Sequence, residues 1–122
     1  MLPYRLDGKS AALFEFQLSD RQANKPAWLR IHTADQDEKI HTLVAAIVNG
    51  RRMERILPKG LGIQVIDPAH LAFPATAQFL VPVTSLHAGT NRVEVRIHGN
   101  GWFTWDAMDL INCNQTCAML RK

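Results

Sequence analysis

Cysteine is scarce in this chain: Cys113 and Cys117 are the only two among 122 residues, and both lie in the last ten. No disulfide framework therefore staples the core, and the count fixes no redox compartment. Long apolar runs are missing as well. Nothing approaches the ~18 residues that a membrane span requires. In the first twenty residues the only apolar run, Ala11 to Phe14, is set among Arg5, Asp7, Lys9, Glu15 and Asp20, and is too short for a signal-peptide core. The segment as given is expected to be soluble, with its compartment open, because a module of a longer exported parent would look the same. A charge excess of one sign is lacking too. Lys plus Arg number 14 against 11 Asp plus Glu, a formal +3. Nucleic-acid binders concentrate cations in a patch, and here only Arg51, Arg52 and Arg55 cluster, with Glu54 among them. A phosphate-binding patch and a solvated strand face are the two readings of that cluster, and neither a nucleic acid nor a membrane is an expected partner. There are no repeats or low-complexity tracts.

What is present is an ordinary globular balance, 47% hydrophobic and 20% charged, in a chain sized for one domain over residues 1–122. A chain of this length buries roughly two thirds of its unfolded surface and needs no staple. Its apolar residues recur with period two more often than with a helical period. Phe14, Phe16 and Leu18 alternate with Glu15 and Gln17, and Leu29 and Ile31 alternate with Trp28, Arg30 and His32. Each reads as a half-buried strand, separated by a loop from Ser19 to Ala27. Leu43 to Val48 is apolar on both faces and ends in Asn49-Gly50, a pair suited to a type I′ hairpin turn, so a strand is expected to return through Arg51 to Leu57. A short strand is expected from Ile63 to Ile66. Phe79, Val81 and Val83 alternate before and beyond Pro82, which marks a sheet edge or a ladder end. Val93, Val95 and Ile97 face inward with Glu94, Arg96 and His98 outward, and Trp102 to Ile111 supplies the last strand. About eight short strands with no long helix predict an all-β sandwich or barrel; the pattern alone leaves immunoglobulin-like and jelly-roll connectivity open.

The blocks Phe79-Leu80-Val81-Pro82, Leu86-His87-Ala88-Gly89-Thr90-Asn91-Arg92-Val93-Glu94-Val95 and Trp105-Asp106-Ala107-Met108-Asp109-Leu110 follow one another in an order that narrows this choice. The progression resembles the galactose-binding-domain-like jelly rolls appended to glycoside hydrolases and polysaccharide lyases, in particular the C-terminal domain of rhamnogalacturonan lyases. The resemblance covers residues 13–111 and leaves 112–122 as a tail. It implies a jelly-roll β-sandwich of about eight antiparallel strands, and a non-catalytic carbohydrate-binding or ancillary module whose partners are a polysaccharide or oligosaccharide and a catalytic domain of a longer parent. Related modules often carry a structural calcium ion near the rim. This chain lacks their acidic N-terminal motif, Glu15 being a loose counterpart, so no cofactor is expected and calcium is the one alternative the resemblance leaves open.

The residue chemistry can be read independently. Gly89 frees a backbone angle and Asn91 can bond neighbouring backbone, which makes both structural. Asp106 is in phase with Met108 and Leu110, so its carboxylate is expected inward or along the rim, hydrogen-bonded to loop amides. Asp35-Gln36-Asp37-Glu38 reads as a solvated acidic turn and fails the EF-hand pattern at Ile40 and Ala46. Sugar recognition in water needs flat apolar rings flanked by planar polar groups. Asn100 to Asp106 concentrates Trp102, Phe103 and Trp105 beside Asn100, and outward-facing Arg96 and His98 could border it, as could Trp28, Arg30 and His32. These six residues, Trp102, Phe103, Trp105, Asn100, Arg96 and His98, form the candidate carbohydrate site; core packing is the alternative for the large rings. No nucleophile elbow, phosphate loop or zinc helix is present. Asp106 and Asp109, three apart on a strand, face opposite sides and do not make a glycosidase pair. The five histidines show no ligand spacing. Cys113 and Cys117 would be half a zinc site without its other half, so they read as free thiols in a tail with a loop disulfide left open, and Asn114-Gln115-Thr116 is a glycosylation sequon of little weight without a secretory route. A structural or protein-interaction sandwich that holds no sugar is the rival function.

Overall fold

The computed structural model describes residues 4–8, 10–60 and 75–112. Eight strands run through them: β1 (Tyr4–Asp7), β2 (Ala11–Leu18), β3 (Ala27–Gln36), β4 (Leu43–Val48), β5 (Arg51–Ile56), β6 (Ala75–Val81), β7 (Gly89–His98) and β8 (Trp102–Asn112). They form two antiparallel sheets, ordered β1-β8-β3-β6 and β2-β7-β4-β5. The first strand lies beside the eighth, the second beside the seventh, the third beside the sixth and the fourth beside the fifth. That nesting is the jelly roll, in which the chain folds as one long doubled ribbon and rolls up into a sandwich.

The period-two pattern explains the packing. Leu29 and Ile31 of β3, Ala77, Phe79 and Val81 of β6, Val44, Ala46 and Val48 of β4, and Val93, Val95 and Ile97 of β7 meet between the sheets. The β4–β5 hairpin turns on Asn49 at φ 49° and Gly50 at φ 89°, the two positive angles of the expected turn. Asn49 also ties this hairpin to the β6–β7 connection, since its Nδ2 donates to the Ser85 carbonyl at 2.7 Å and to Asn91 Oδ1 at 2.9 Å.

Five details differ from the sequence reading. Among the described side chains of β1, Leu6 is the buried apolar one, too little alternation to register as a strand. The loop after β2 holds one helical turn, α1 (Asp20–Ala23), closed by a reciprocal capping box between Ser19 and Gln22. Val83 is not a strand residue: β6 stops before Pro82, and Val83 opens a 3-10 turn in which it is exposed. The acidic turn is half wrong, because β3 continues through Asp35 and Gln36 and buries both completely. Gly60 packs so closely on the Asp35 carboxylate and the Gln36 backbone that a Cβ there would collide. Finally, the phase of β8 changes midway. His32 lies opposite Ala107 but Thr33 lies opposite Trp105, a bulge at Asp106 that lets Phe103 and Trp105 pack inward as well as Met108 and Leu110. The side chain of Asp106, the strand expected at 63–66, Cys113, Cys117 and the sequon lie outside the described residues.

Candidate functional site

Because Leu29 and Ile31 point into the sandwich, the alternate residues of β3 rise from the outer face of the first sheet, where β8 and β6 flank them. Register sets three rows across this face. Trp28 lies between Leu80 and Ile111, Arg30 between Gln78 and Asp109, and His32 between Thr76 and Ala107. The first row is an apolar strip with a half-buried indole at its centre. The other two are polar and joined into a single network.

Asp109 is the hub of that network. Arg30 grips it in two places, Nε donating to Oδ1 at 2.8 Å and Nη2 to Oδ2 at 3.1 Å, and His32 Nε2 lies 3.0 Å from the same Oδ2. The geometry is the bidentate fork in which arginine and carboxylate match edge to edge. The Arg30 hydrogen bond, aided by His32, holds the Asp109 carboxyl below the usual carboxylate range against a smaller opposing effect of burial. The same bond raises the Arg30 guanidinium further above its ordinary value. Thr76 Oγ1 completes the row, 3.3 Å from His32 Nδ1. A flat apolar ring thus stands one row away from a planar guanidinium–carboxylate pair whose orientation is already fixed.

The six residues chosen from sequence do not converge. Trp102 is 7% exposed with the Arg5 guanidinium 5.3 Å from its ring centre, and Phe103 is fully buried. Neither ring presents a stacking face to solvent, so the expected platform does not form there. Trp105 is half-buried and meets Phe14 edge to face, with ring centres 5.2 Å apart. Asn100 is exposed in the turn before β8. Arg96 and His98 stand on the outer face of the opposite sheet, where Arg96 pairs with Glu94 and His98 Nδ1 lies 3.1 Å from Arg52 Nη2. Gly89 adopts φ 94°, and the Asn91 amide bonds the backbone of His87 and Gly89, so both hold the turn together.

Trp28, Arg30 and His32 were legible as one outward face, since they alternate with Leu29 and Ile31. Asp109 was missed because its partner lies 79 residues away, and only the sheet order reveals that β8 runs beside β3. The opposite outer face carries an open groove of about 870 Å³ lined by Leu13, Glu15, Ile47, Asn49, Arg92 and Glu94. No group of three or more His, Cys, Asp or Glu able to hold a metal occurs among the described residues, nor does a helix long and apolar enough to cross a membrane.

No family model matches the sequence, and no curated protein does. Among solved structures, an uncharacterized protein from Listeria monocytogenes EGD-e is similar, with a TM-score of 0.56 and 16% identity over 82% of this chain and 8% of that one. It was crystallised in complex with α-D-glucose, β-D-glucose, magnesium and calcium. The likeness is one of fold. This chain corresponds to a small part of that much longer protein.

Proposed function

We propose that this chain is a non-catalytic carbohydrate-binding or ancillary module of the galactose-binding-like type, which holds a polysaccharide or oligosaccharide on the outer face of β8, β3 and β6. The observation that carries the reading is the Trp28 ring set one row from the Arg30–Asp109 pair. A pyranose stacks its C–H face on an indole and projects adjacent hydroxyls sideways. Arg30 keeps N–H groups that Asp109 does not occupy, and Asp109 Oδ1 keeps acceptor capacity, so the pair can donate to one hydroxyl and accept from its neighbour. The sugar-complexed structural neighbour supports the ligand class; attachment to a catalytic domain of a longer parent is part of the proposal alone. In this role the chain works by binding alone and requires no cofactor.

Titration of neutral plant and microbial polysaccharides, followed by tryptophan fluorescence and by mobility in polysaccharide-containing gels, tests the proposal. Binding by the wild type, weakened about tenfold or more in Trp28→Ala with little change in melting, supports it, tenfold being about 1.4 kcal/mol. Binding unaffected by that substitution, or no binding across the panel, counts against it. A protein-interaction role draws on a different observation: Leu13 and Ile56, 74% and 68% exposed, stand on the outer face of the other sheet. A size-exclusion mass above the monomer would favour it.

A further inference from the structure

The hydrogen bonds through His32 have a direction. A carboxylate only accepts, so Nε2 of His32, 3.0 Å from Asp109 Oδ2, carries a proton. In a neutral imidazole Nδ1 is then a bare acceptor. Thr76 Oγ1, 3.3 Å away, donates its single hydroxyl proton to that nitrogen and turns only lone pairs towards solvent. When the imidazole takes up a second proton, Nδ1–H becomes a donor and Thr76 must accept from it. The threonine hydroxyl proton is thereby released to point outward, and the row gains a positive charge beside Arg30.

We infer that His32 is a proton-operated selector: with a neutral imidazole the face beside Trp28 favours uncharged, hydroxyl-bearing ligands, and with a charged imidazole it gains affinity for a carboxylate or sulfate. The inference rests on the carbohydrate reading for its ligand and names the class, neutral sugars with the imidazole neutral and acidic sugars with it charged. A sugar hydroxyl both donates and accepts, so it pairs with Thr76 in either state. A carboxylate or sulfate ester only accepts: it can take the free Arg30 N–H groups in either state, meets the negative Asp109 beside them in the adjoining row, and finds a proton on Thr76 only once His32 is charged. Among the described residues the charged groups facing His32 are Asp109 from β8 and Arg30 from its own strand; β6 contributes the uncharged Thr76 and Gln78. Arg30 holds the Asp109 carboxyl below its usual range, so Asp109 stays ionised while imidazoles titrate and is not itself the switch.

Isothermal titration with a neutral cello-oligosaccharide and an acidic oligogalacturonate tests this between about pH 8 and about pH 5, the span over which imidazoles change charge. Affinity for the acidic probe should rise about tenfold towards acid, equivalent to about 1.4 kcal/mol, while the neutral probe changes little. His32→Gln should abolish the rise, and Thr76→Val should reduce it while sparing the neutral probe. Ring nitrogen shifts should report the Nε2–H tautomer at neutral pH without any ligand. An Nδ1–H tautomer, equal binding of the acidic probe at both pH values, or a rise that survives His32→Gln would overturn the selector. If neither sugar binds, the carbohydrate reading fails and sodium acetate or sulfate decides the selector separately: shifts at His32 and Thr76 confined to acid support it, and none at any pH refute it. Response to these free anions without response to oligogalacturonate assigns the site to small anions rather than acidic sugars.

Discussion

Truncating Asn91 to alanine should destabilise the protein by about 2–3 kcal/mol, because its buried amide satisfies backbone groups that would otherwise be left unpaired. Its Oδ1 accepts from the His87 amide at 3.1 Å and from Asn49 Nδ2 at 2.9 Å, and its Nδ2 donates to the carbonyls of His87 and Gly89 at 2.8 and 3.1 Å. Urea unfolding of Asn91→Ala and Asn91→Asp checks this; the aspartate should also destabilise, since it keeps the acceptor but loses both donors. Asp109 makes a different prediction. Its carboxyl is held down by Arg30, so it contributes stability above the ordinary unfolded carboxylate pKa, and that contribution is lost as pH falls through the lower folded value. At 38% side-chain exposure the pair is screened and worth less than the shift alone suggests. The melting temperature of wild type should therefore exceed that of Asp109→Asn modestly at neutral pH, and the gap should close below about pH 4. A gap that widens in acid would have the wrong sign.

The β4–β5 hairpin was legible because its turn is local: Asn49-Gly50 sits between an apolar run and a charged strand, and both residues adopt the positive φ that the turn requires. Gly50→Ala should cost about 1–2 kcal/mol, for backbone conformation alone, since nothing in the fold would touch the added methyl. Thermal melts check this, and a neutral result would mean that the turn relaxes to another type. β8 was harder to read. A period of two holds only within each half, and the bulge at Asp106 restores phase between Trp105 and Met108. Extrapolating the alternation of Met108 and Leu110 backwards therefore misplaces everything before it. Likewise β3 was cut short because Asp35 and Gln36 look like turn residues, whereas the strand continues beside β8, with the Asp35 backbone amide donating to Thr104 Oγ1, and the buried Gln36 amide is satisfied by donating Nε2 to the Pro58 carbonyl and accepting at Oε1 from Thr33 Oγ1.

At the scale of the molecule, local alternation revealed which residues face outward, and strand order decided which of them meet. Trp28, Arg30 and His32 share a face by spacing alone, but Asp109 joins them only because the jelly roll lays β8 against β3. The same order sends Arg96 and His98 to the far side of the sandwich, away from Trp105. Tryptophans that look alike in sequence consequently differ in role: Trp102→Ala should destabilise by about 3 kcal/mol or more, as expected for a buried aromatic, while Trp28→Ala should leave folding nearly intact. Which face holds the ligand is decided by chemical-shift mapping of the isotopically labelled chain during titration with neutral oligosaccharides. Perturbations should concentrate on Trp28, Arg30, Gln78, Leu80 and Asp109. Perturbations confined to Leu13, Ile47, Arg92 and Glu94 in the opposite groove, or to the turn around Asn100, would contradict that placement.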